Sequence, residues 1–174
     1  VADVVRGAGI AVVFAPAPPD RAAARPEGQR RSRRRGPMAD AAERAGVRRF
    51  IQVSSFGAGE PIPTAPTRVF AAYLGEDRRR DDLRRRDGLD WTILRPGGLT
   101  DDDPTGEVTL TEPPLDAARC HGAMVAAVIA ALLASDGDGR PPRAVRRTLM
   151  LTEGSFSIED ALAALTVNPP TGGG

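Results

Sequence analysis

"AGVRRFIQVSS", residues 45–55, joins the end of a helix to a buried strand and thereby sets the class of the fold. Gly46 is placed to end a helix predicted over 38–47, because glycine adopts without strain the left-handed conformation that closes many helices. The apolar residues that follow predict a strand over 48–55. A helix that leads directly into such a strand is typical of a parallel α/β sheet.

Strands and helices alternate on both sides of this stretch. "IAVVFA" (10–15) is a continuous apolar run rich in β-branched residues, as in a parallel strand that is buried on both faces. Ser157, with Asp160 three residues later, forms a variant of the capping box at the start of a final helix. Further strands are predicted over 89–96, 106–110 and 146–154, and further helices over 68–86, 124–135 and 157–165. This order predicts an α/β protein with a doubly wound parallel sheet.

The length and composition predict one domain over residues 1–165. Residues 16–37 are rich in Arg and Pro and lack apolar periodicity, so we expect a disordered loop there. A short Gly-rich tail over 166–174 is expected to be flexible.

The types of residue present exclude several chemistries. All 24 basic residues are arginine, so the chain can form neither a lysine Schiff base nor a P-loop. Cys120 and His121 are the only residues of their kinds, which leaves no internal disulfide and no zinc site. We therefore expect no metal, and the sequence assigns no role to either residue.

The balance of charge and hydropathy bears on partners and location. The 23 acidic residues bring the net charge to only +1, which argues against a nucleic-acid partner. "RRSRRR" (30–35) alone remains a candidate for non-specific phosphate binding. No segment approaches the ~20 apolar residues of a membrane helix, and no signal-peptide pattern opens the chain. We expect a cytoplasmic protein that does not contact a membrane.

Two stretches, "AGVRRFIQVSS" and "GLDWTILRPGGLTD" (88–101), resemble the atypical short-chain dehydrogenase/reductase family, the single-domain proteins called NAD(P)H-binding or NmrA-like. The helix "VAAVIAALLAS" (125–135) fits the same order of elements. The resemblance implies a Rossmann-like fold, an NAD(P)(H) cofactor and a small-molecule substrate. It also implies oxidoreductase or epimerase-like chemistry on a carbonyl or alcohol.

The resemblance further implies catalytic residues. Tyr73 matches the family's active-site tyrosine, which exchanges a proton with the substrate oxygen as hydride moves to or from nicotinamide. Ser54 and Ser55 follow the second strand at the carboxyl edge of the sheet, where doubly wound folds bind ligands. Either hydroxyl would hydrogen-bond the substrate oxygen.

Cofactor contacts are implied in the same way. Pro96 and Gly97 match the turn that approaches the nicotinamide, and the resemblance implies Ser54 as a further cofactor contact. Phe14, Ala15 and Pro16 match the strand end that flanks the adenosine and its ribose.

The chain departs from the family pattern at two places. Asp77 stands where the family commonly has lysine, and a carboxylate there would raise the pKa of Tyr73 above its usual ~10 rather than lower it. No strand is followed by the Gly-rich turn and helix that bind pyrophosphate. We therefore expect a partial Rossmann-like sheet that lacks its first βαβ units, with impaired catalysis.

An incomplete sheet would leave the strand at 10–15 as an exposed apolar edge, which a protein partner or an oligomer would cover. Residues 16–37 also have the composition that a shifted reading frame in GC-rich DNA would produce. Three alternatives to an oxidoreductase remain open at this point: a non-catalytic NmrA-like regulator that senses dinucleotides, an Arg-rich nucleic-acid binder, and a gene fragment without function.

Overall fold

The computed structural model describes residues 10–14, 36–56, 83, 86–116, 118–134 and 143–167. The predicted helix over 68–86 lies almost entirely outside these residues, as do Ala15, Pro16, Tyr73 and Asp77. The tail predicted over 166–174 lies outside them only from residue 168, because the last helix continues through residues 166 and 167. In chain order the elements are β1 Ile10–Phe14, α1 Gly36–Arg44, β2 Arg49–Val53, β3 Asp90–Pro96, β4 Gly98–Thr100, β5 Glu107–Thr111, β6 Arg119–His121, α2 Gly122–Ala134, β7 Arg147–Glu153, β8 Phe156–Ser157 and α3 Ile158–Val167.

The chain divides into two compact units, Val1–Trp91 and Thr92–Gly174, with the boundary inside β3. In the first unit β1 and β2 run parallel, with Ile10 opposite Arg49 and Phe14 opposite Val53. The carboxyl ends of these two strands therefore lie at the same edge, as the sequence predicts.

Helix α1 ends in a Schellman motif around Gly46. Gly46 N–H donates to the carbonyl of Glu43 at 3.1 Å, and Val47 N–H donates to that of Ala42 at 2.9 Å. Gly46 has a φ of 72°, which confirms the predicted reason for a glycine there. The helix begins at Gly36 rather than at residue 38, since proline fits the first helical turn. The last two residues of the loop predicted over 16–37, Gly36 and Pro37, thus belong to α1.

The chain enters β3 beside the start of β2. Asp90 N–H donates to the carbonyl of Arg48 at 2.7 Å. The Asp90 carboxylate also accepts a hydrogen bond from Arg48 Nε at 3.1 Å. Among the described residues of this unit, the buried apolar side chains are Ala39, Ala41, Ala42, Val47, Phe50, Ile51, Val53, Leu83, Leu89 and Trp91.

In the second unit the strands mix two directions. Residues of β3 pair in parallel with β7, with Pro96 opposite Leu151. β5 pairs antiparallel with β7, and β8 pairs antiparallel with β5. An antiparallel edge on a mainly parallel sheet is common in α/β proteins. The predicted α/β class with a parallel-rich sheet is confirmed, with these two antiparallel strands as an addition.

Helix α2 packs one face into the core of the second unit. Its buried residues are Met124, Val125, Val128, Ile129 and Leu132, which recur at the spacing of one helical face. Among the described residues, no helix combines the length and the apolar character that a membrane crossing requires.

Helix α3 begins at the predicted cap. Ser157 Oγ accepts the N–H of Asp160 at 3.1 Å and donates to its carboxylate at 2.6 Å. The Asp160 side chain is shorter than that of glutamate, and it contacts the capping hydroxyl. A glutamate in a capping box instead reaches the backbone N–H of the capping residue.

Candidate active site

Ser54 places a buried hydroxyl at the carboxyl end of β2. The residue is only 4% exposed, and its Oγ has no hydrogen-bond partner in the described part of the chain. A buried hydroxyl without a partner destabilises a protein by about 1–3 kcal/mol, so such atoms are uncommon unless a ligand or water satisfies them. Ser54 therefore has the geometry expected of a ligand contact.

Two neighbours share the surroundings of Ser54. Ser55 follows it and is half-buried. Gln52, two residues before it on β2, is buried and its side-chain Nε2 also lacks a partner among the described residues. Sequence reasoning missed Gln52, because a polar residue inside an apolar strand is not by itself evidence of a site.

Phe14 is the last residue of β1, opposite Val53, so its backbone lies at the same edge as Ser54. The structure thus brings together Phe14 and the two serines. The predicted residues Ala15, Pro16 and Tyr73 lie outside the described residues, as does Asp77.

Pro96 and Gly97 lie at the carboxyl end of β3 in the second unit. Gly97 N–H donates to the carbonyl of Leu151 at 2.9 Å, and Gly98 N–H donates to that of Ala118 at 3.0 Å. A Cβ at position 97 would overlap the carbonyl oxygen of Ala118. The close approach of the Ala118 backbone is thus sufficient reason for a glycine at 97, without the cofactor that the sequence reasoning invoked.

A polar cluster lies close by, formed by Thr100, His121 and Glu153. His121 is 6% exposed, and its Nδ1 lies 2.9 Å from Thr100 Oγ1. Its Nε2 lies 3.4 Å from Glu153 Oε1, outside hydrogen-bond geometry, and has no other partner among the described residues. The three residues come from β4, β6 and β7. Sequence reasoning missed them because no local spacing connects them.

Cys120 precedes this cluster but has no reactive character. The side chain is fully buried, and burial raises the pKa of its thiol to about 11, with the nearby Glu153 carboxylate adding to the shift. The thiol therefore stays protonated near neutral pH. In the described residues, no group of three or more His, Cys, Asp or Glu side chains is placed to hold a metal ion.

Residues 1–136 match the family model described as NAD(P)H-binding, and the chain belongs to that family. The resemblance to atypical short-chain dehydrogenases/reductases is thereby confirmed. The partially described sheet is the Rossmann-like sheet of such proteins.

Solved structures agree with this assignment. The oxidoreductase YlbE from Lactococcus lactis is 26% identical with a TM-score of 0.63 over 76% of this chain and 58% of that one. A Bacillus halodurans protein proposed to be an NAD-dependent epimerase/dehydratase is 29% identical with a TM-score of 0.62, over 74% of this chain and 56% of that one.

A third structure, a short-chain dehydrogenase/reductase from Veillonella parvula in complex with NADP, is 19% identical, with a TM-score of 0.64 over 90% of this chain and 69% of that one. At that identity it shows the fold alone. The chain spans 29% and 56% of the lengths of two curated relatives that it matches.

Proposed function

We propose that the protein binds a nicotinamide dinucleotide and uses it in oxidoreductase or epimerase-like chemistry on the carbonyl or alcohol of a small molecule. The observation that carries this proposal is the hydroxyl of Ser54 at the carboxyl end of β2, which is buried and has no hydrogen-bond partner among the described residues. This is the edge at which doubly wound folds bind nucleotides, and the chain belongs to the NAD(P)H-binding family. The orphaned hydroxyl fits such a cofactor or its substrate.

The residues named from the sequence have separate roles. When bound, the nicotinamide supplies or accepts a hydride. Ser54 or Ser55 hydrogen-bonds the substrate oxygen and holds it in place. Pro96 and Gly97 border the nicotinamide end with their backbone, and Tyr73 exchanges the proton. A further set of residues, Phe14, Ala15 and Pro16, flanks the adenosine and its ribose.

Turnover through Tyr73 is expected to be slow. Asp77 stands four residues beyond Tyr73 where a lysine would favour the tyrosinate, and a carboxylate favours the neutral phenol instead. This observation also favours a second candidate function, a regulator that binds the dinucleotide without turning it over. Binding with no turnover of any carbonyl substrate, together with a protein partner recovered by pull-down, would favour the regulator.

Thermal melts with NADPH and NADH test dinucleotide binding, because a ligand of the folded state raises the melting temperature. We expect one of the two dinucleotides to raise the Tm of the wild-type chain. Ser54→Ala should leave the Tm without ligand unchanged or higher, since it removes an unsatisfied buried group, and should weaken binding by about five- to tenfold.

Thr92→Val is the matched control. It also removes a buried hydroxyl, but Thr92 Oγ1 donates to the carbonyl of Ala144 at 2.8 Å. We expect it to lower the Tm without ligand and to leave the dinucleotide-induced rise intact. A wild-type Tm that neither dinucleotide changes would overturn the proposed function.

A further inference from the structure

We propose that Thr100, His121 and Glu153 form a proton relay, here called the relay triad, in which the Thr100 hydroxyl exchanges a proton with the substrate oxygen. The inference rests on the proposed function. Because Asp77 is expected to make proton exchange through Tyr73 slow, the inference gives the main proton step to residues that the family resemblance does not point to. Thr100 would be the catalytic residue. His121 and Glu153 would act through it as positioning residues.

The relay triad has the arrangement of a hydroxyl, a base and a group that orients the base. Thr100 and His121 are directly opposite each other in the parallel pair of β4 and β6. Their side chains meet at 2.9 Å between Oγ1 and Nδ1. Glu153 Oε1 lies 3.4 Å from the other ring nitrogen. Contacts that become hydrogen bonds during catalysis are often this long before a ligand is bound.

The carboxylate of Glu153 determines which nitrogen of His121 keeps its proton. A lone pair on Nε2 would face a negative charge at 3.4 Å, whereas an N–H there is attracted to it. The neutral ring therefore carries its proton on Nε2, and Nδ1 accepts the hydrogen bond of the Thr100 hydroxyl. The proton that the ring gains and loses is the one on Nδ1, on the side of Thr100.

The relay triad lies at the same end of the strands as the proposed nicotinamide contact. Thr100 is three residues beyond Gly97 along the chain, and Glu153 directly follows Thr152. A Cβ added at position 97 would lie 3.5 Å from Thr152 Cγ2. Thr152 of β7 is therefore close to Gly97, and Glu153 is the next residue along the strand. Thr100 is half-buried, so the residue is not sealed from solvent.

The proton balance of a reduction is complete with these groups. When bound, a reduced dinucleotide would supply a hydride with its electron pair to the substrate carbonyl carbon, and the C=O π pair would move to oxygen. That oxygen takes the proton of Thr100 Oγ1, which regains one from Nδ1 of protonated His121. Solvent then reprotonates the ring, and oxidation of an alcohol reverses each transfer.

Nitrogen NMR of the imidazole tests the relay triad without any turnover. The chain has one histidine, so the ring signals belong to His121 alone. We expect the Nε2–H tautomer in the wild type, a mixture of tautomers in Glu153→Gln, and a shift of the Nδ1 signal in Thr100→Val. Thr105→Val, which removes an exposed threonine hydroxyl outside the triad, should change neither nitrogen. A wild-type ring protonated on Nδ1 alone would overturn the proposal.

Reduction of a reactive dicarbonyl probe, phenanthrenequinone, tests the role in catalysis. We expect Thr100→Val and His121→Ala to lower kcat about a hundredfold with the dinucleotide affinity unchanged, and added imidazole to rescue His121→Ala but not Thr100→Val. Tyr73→Phe should have a smaller effect. Turnover that is lost in Tyr73→Phe and kept in Thr100→Val would overturn the relay, as would dinucleotide binding with no wild-type turnover. Either result leaves the dinucleotide-binding part of the proposed function standing. A wild-type chain that binds no dinucleotide overturns the relay and the proposed function together.

Discussion

Thr100 and His121 are opposite each other in the two-stranded β4–β6 pair, and their side chains hydrogen-bond at 2.9 Å. The two residues are 21 positions apart in the chain. The pairing places the imidazole of His121, the only histidine of the protein, beside the Thr100 hydroxyl. Both side chains lie at the end of β3 and β7 where Pro96 and Gly97 also lie. The same pairing brings the backbone of Ala118 close to Gly97, and this close approach leads to a prediction about stability.

Gly97→Ala should destabilise the protein strongly, because the added methyl group overlaps the Ala118 carbonyl oxygen and neither backbone can move without loss of strand pairing. We expect a loss of about 3 kcal/mol in the free energy of unfolding. Urea unfolding measures it. Gly98→Ala is the matched control, since no atom lies within 4 Å of its added Cβ. Equal stability of the two variants would contradict the close approach at position 97.

Ser157→Ala should remove the cap of α3. The hydroxyl satisfies the N–H of Asp160 at 3.1 Å, and loss of such a cap typically lowers stability by about 1 kcal/mol. Ser155→Ala changes an exposed serine two residues earlier and should leave the urea midpoint within error. If both variants behave alike, the Ser157 hydroxyl does not act as a cap.

Cys120 should resist alkylation while the protein is folded. With the thiol pKa raised to about 11 by burial, the reactive thiolate is roughly a thousandth of the total at about pH 8, and the side chain is also covered. Iodoacetamide should therefore label Cys120 slowly in buffer and rapidly in denaturant. Rapid labelling of the folded chain, followed by mass spectrometry, would disprove the burial.

Stability should also fall at alkaline pH because of Cys120. A thiol whose pKa is higher in the folded state stabilises that state fully below the unfolded value of ~8.5, and this contribution is lost as the pH rises toward the folded value of about 11. The urea midpoint of the wild type should thus decline more steeply than that of Cys120→Ala across this interval. Parallel declines in the two chains would show that the thiol titrates alike in both states.

The elements that local pattern predicts well are those with a long apolar run or a clear cap. The strands at β2 and β3 and the helix α2 agree with the predicted ranges to within about two residues, because hydrophobic periodicity over several residues identifies them. β4, β6 and β8 were not predicted, since segments of two or three residues have no period to detect. The antiparallel direction of β5 depends on its partner β7 and has no local cause.

The candidate site was likewise predicted only in part from the sequence. Ser54 was predicted from its place after a strand, and the structure adds that its buried hydroxyl lacks a partner among the described residues. Gly97 was predicted to serve a cofactor, which stays a prediction, and the structure adds a packing reason for the glycine. Ala15, Pro16, Tyr73 and Asp77 stay predictions, as do the single domain over 1–165, the cytoplasmic location and the covered sheet edge.

By itself, the sequence determined the α/β class, the family and the edge of the sheet at which Ser54 lies, because these follow from the order of apolar segments and from residues adjacent in the chain. Only the tertiary structure decided that Thr100, His121 and Glu153 meet. The three residues belong to separate strands, and strand pairing depends on register and direction over many residues rather than on spacing along the chain. The contact between Thr100 and His121 is therefore a property of the folded protein alone.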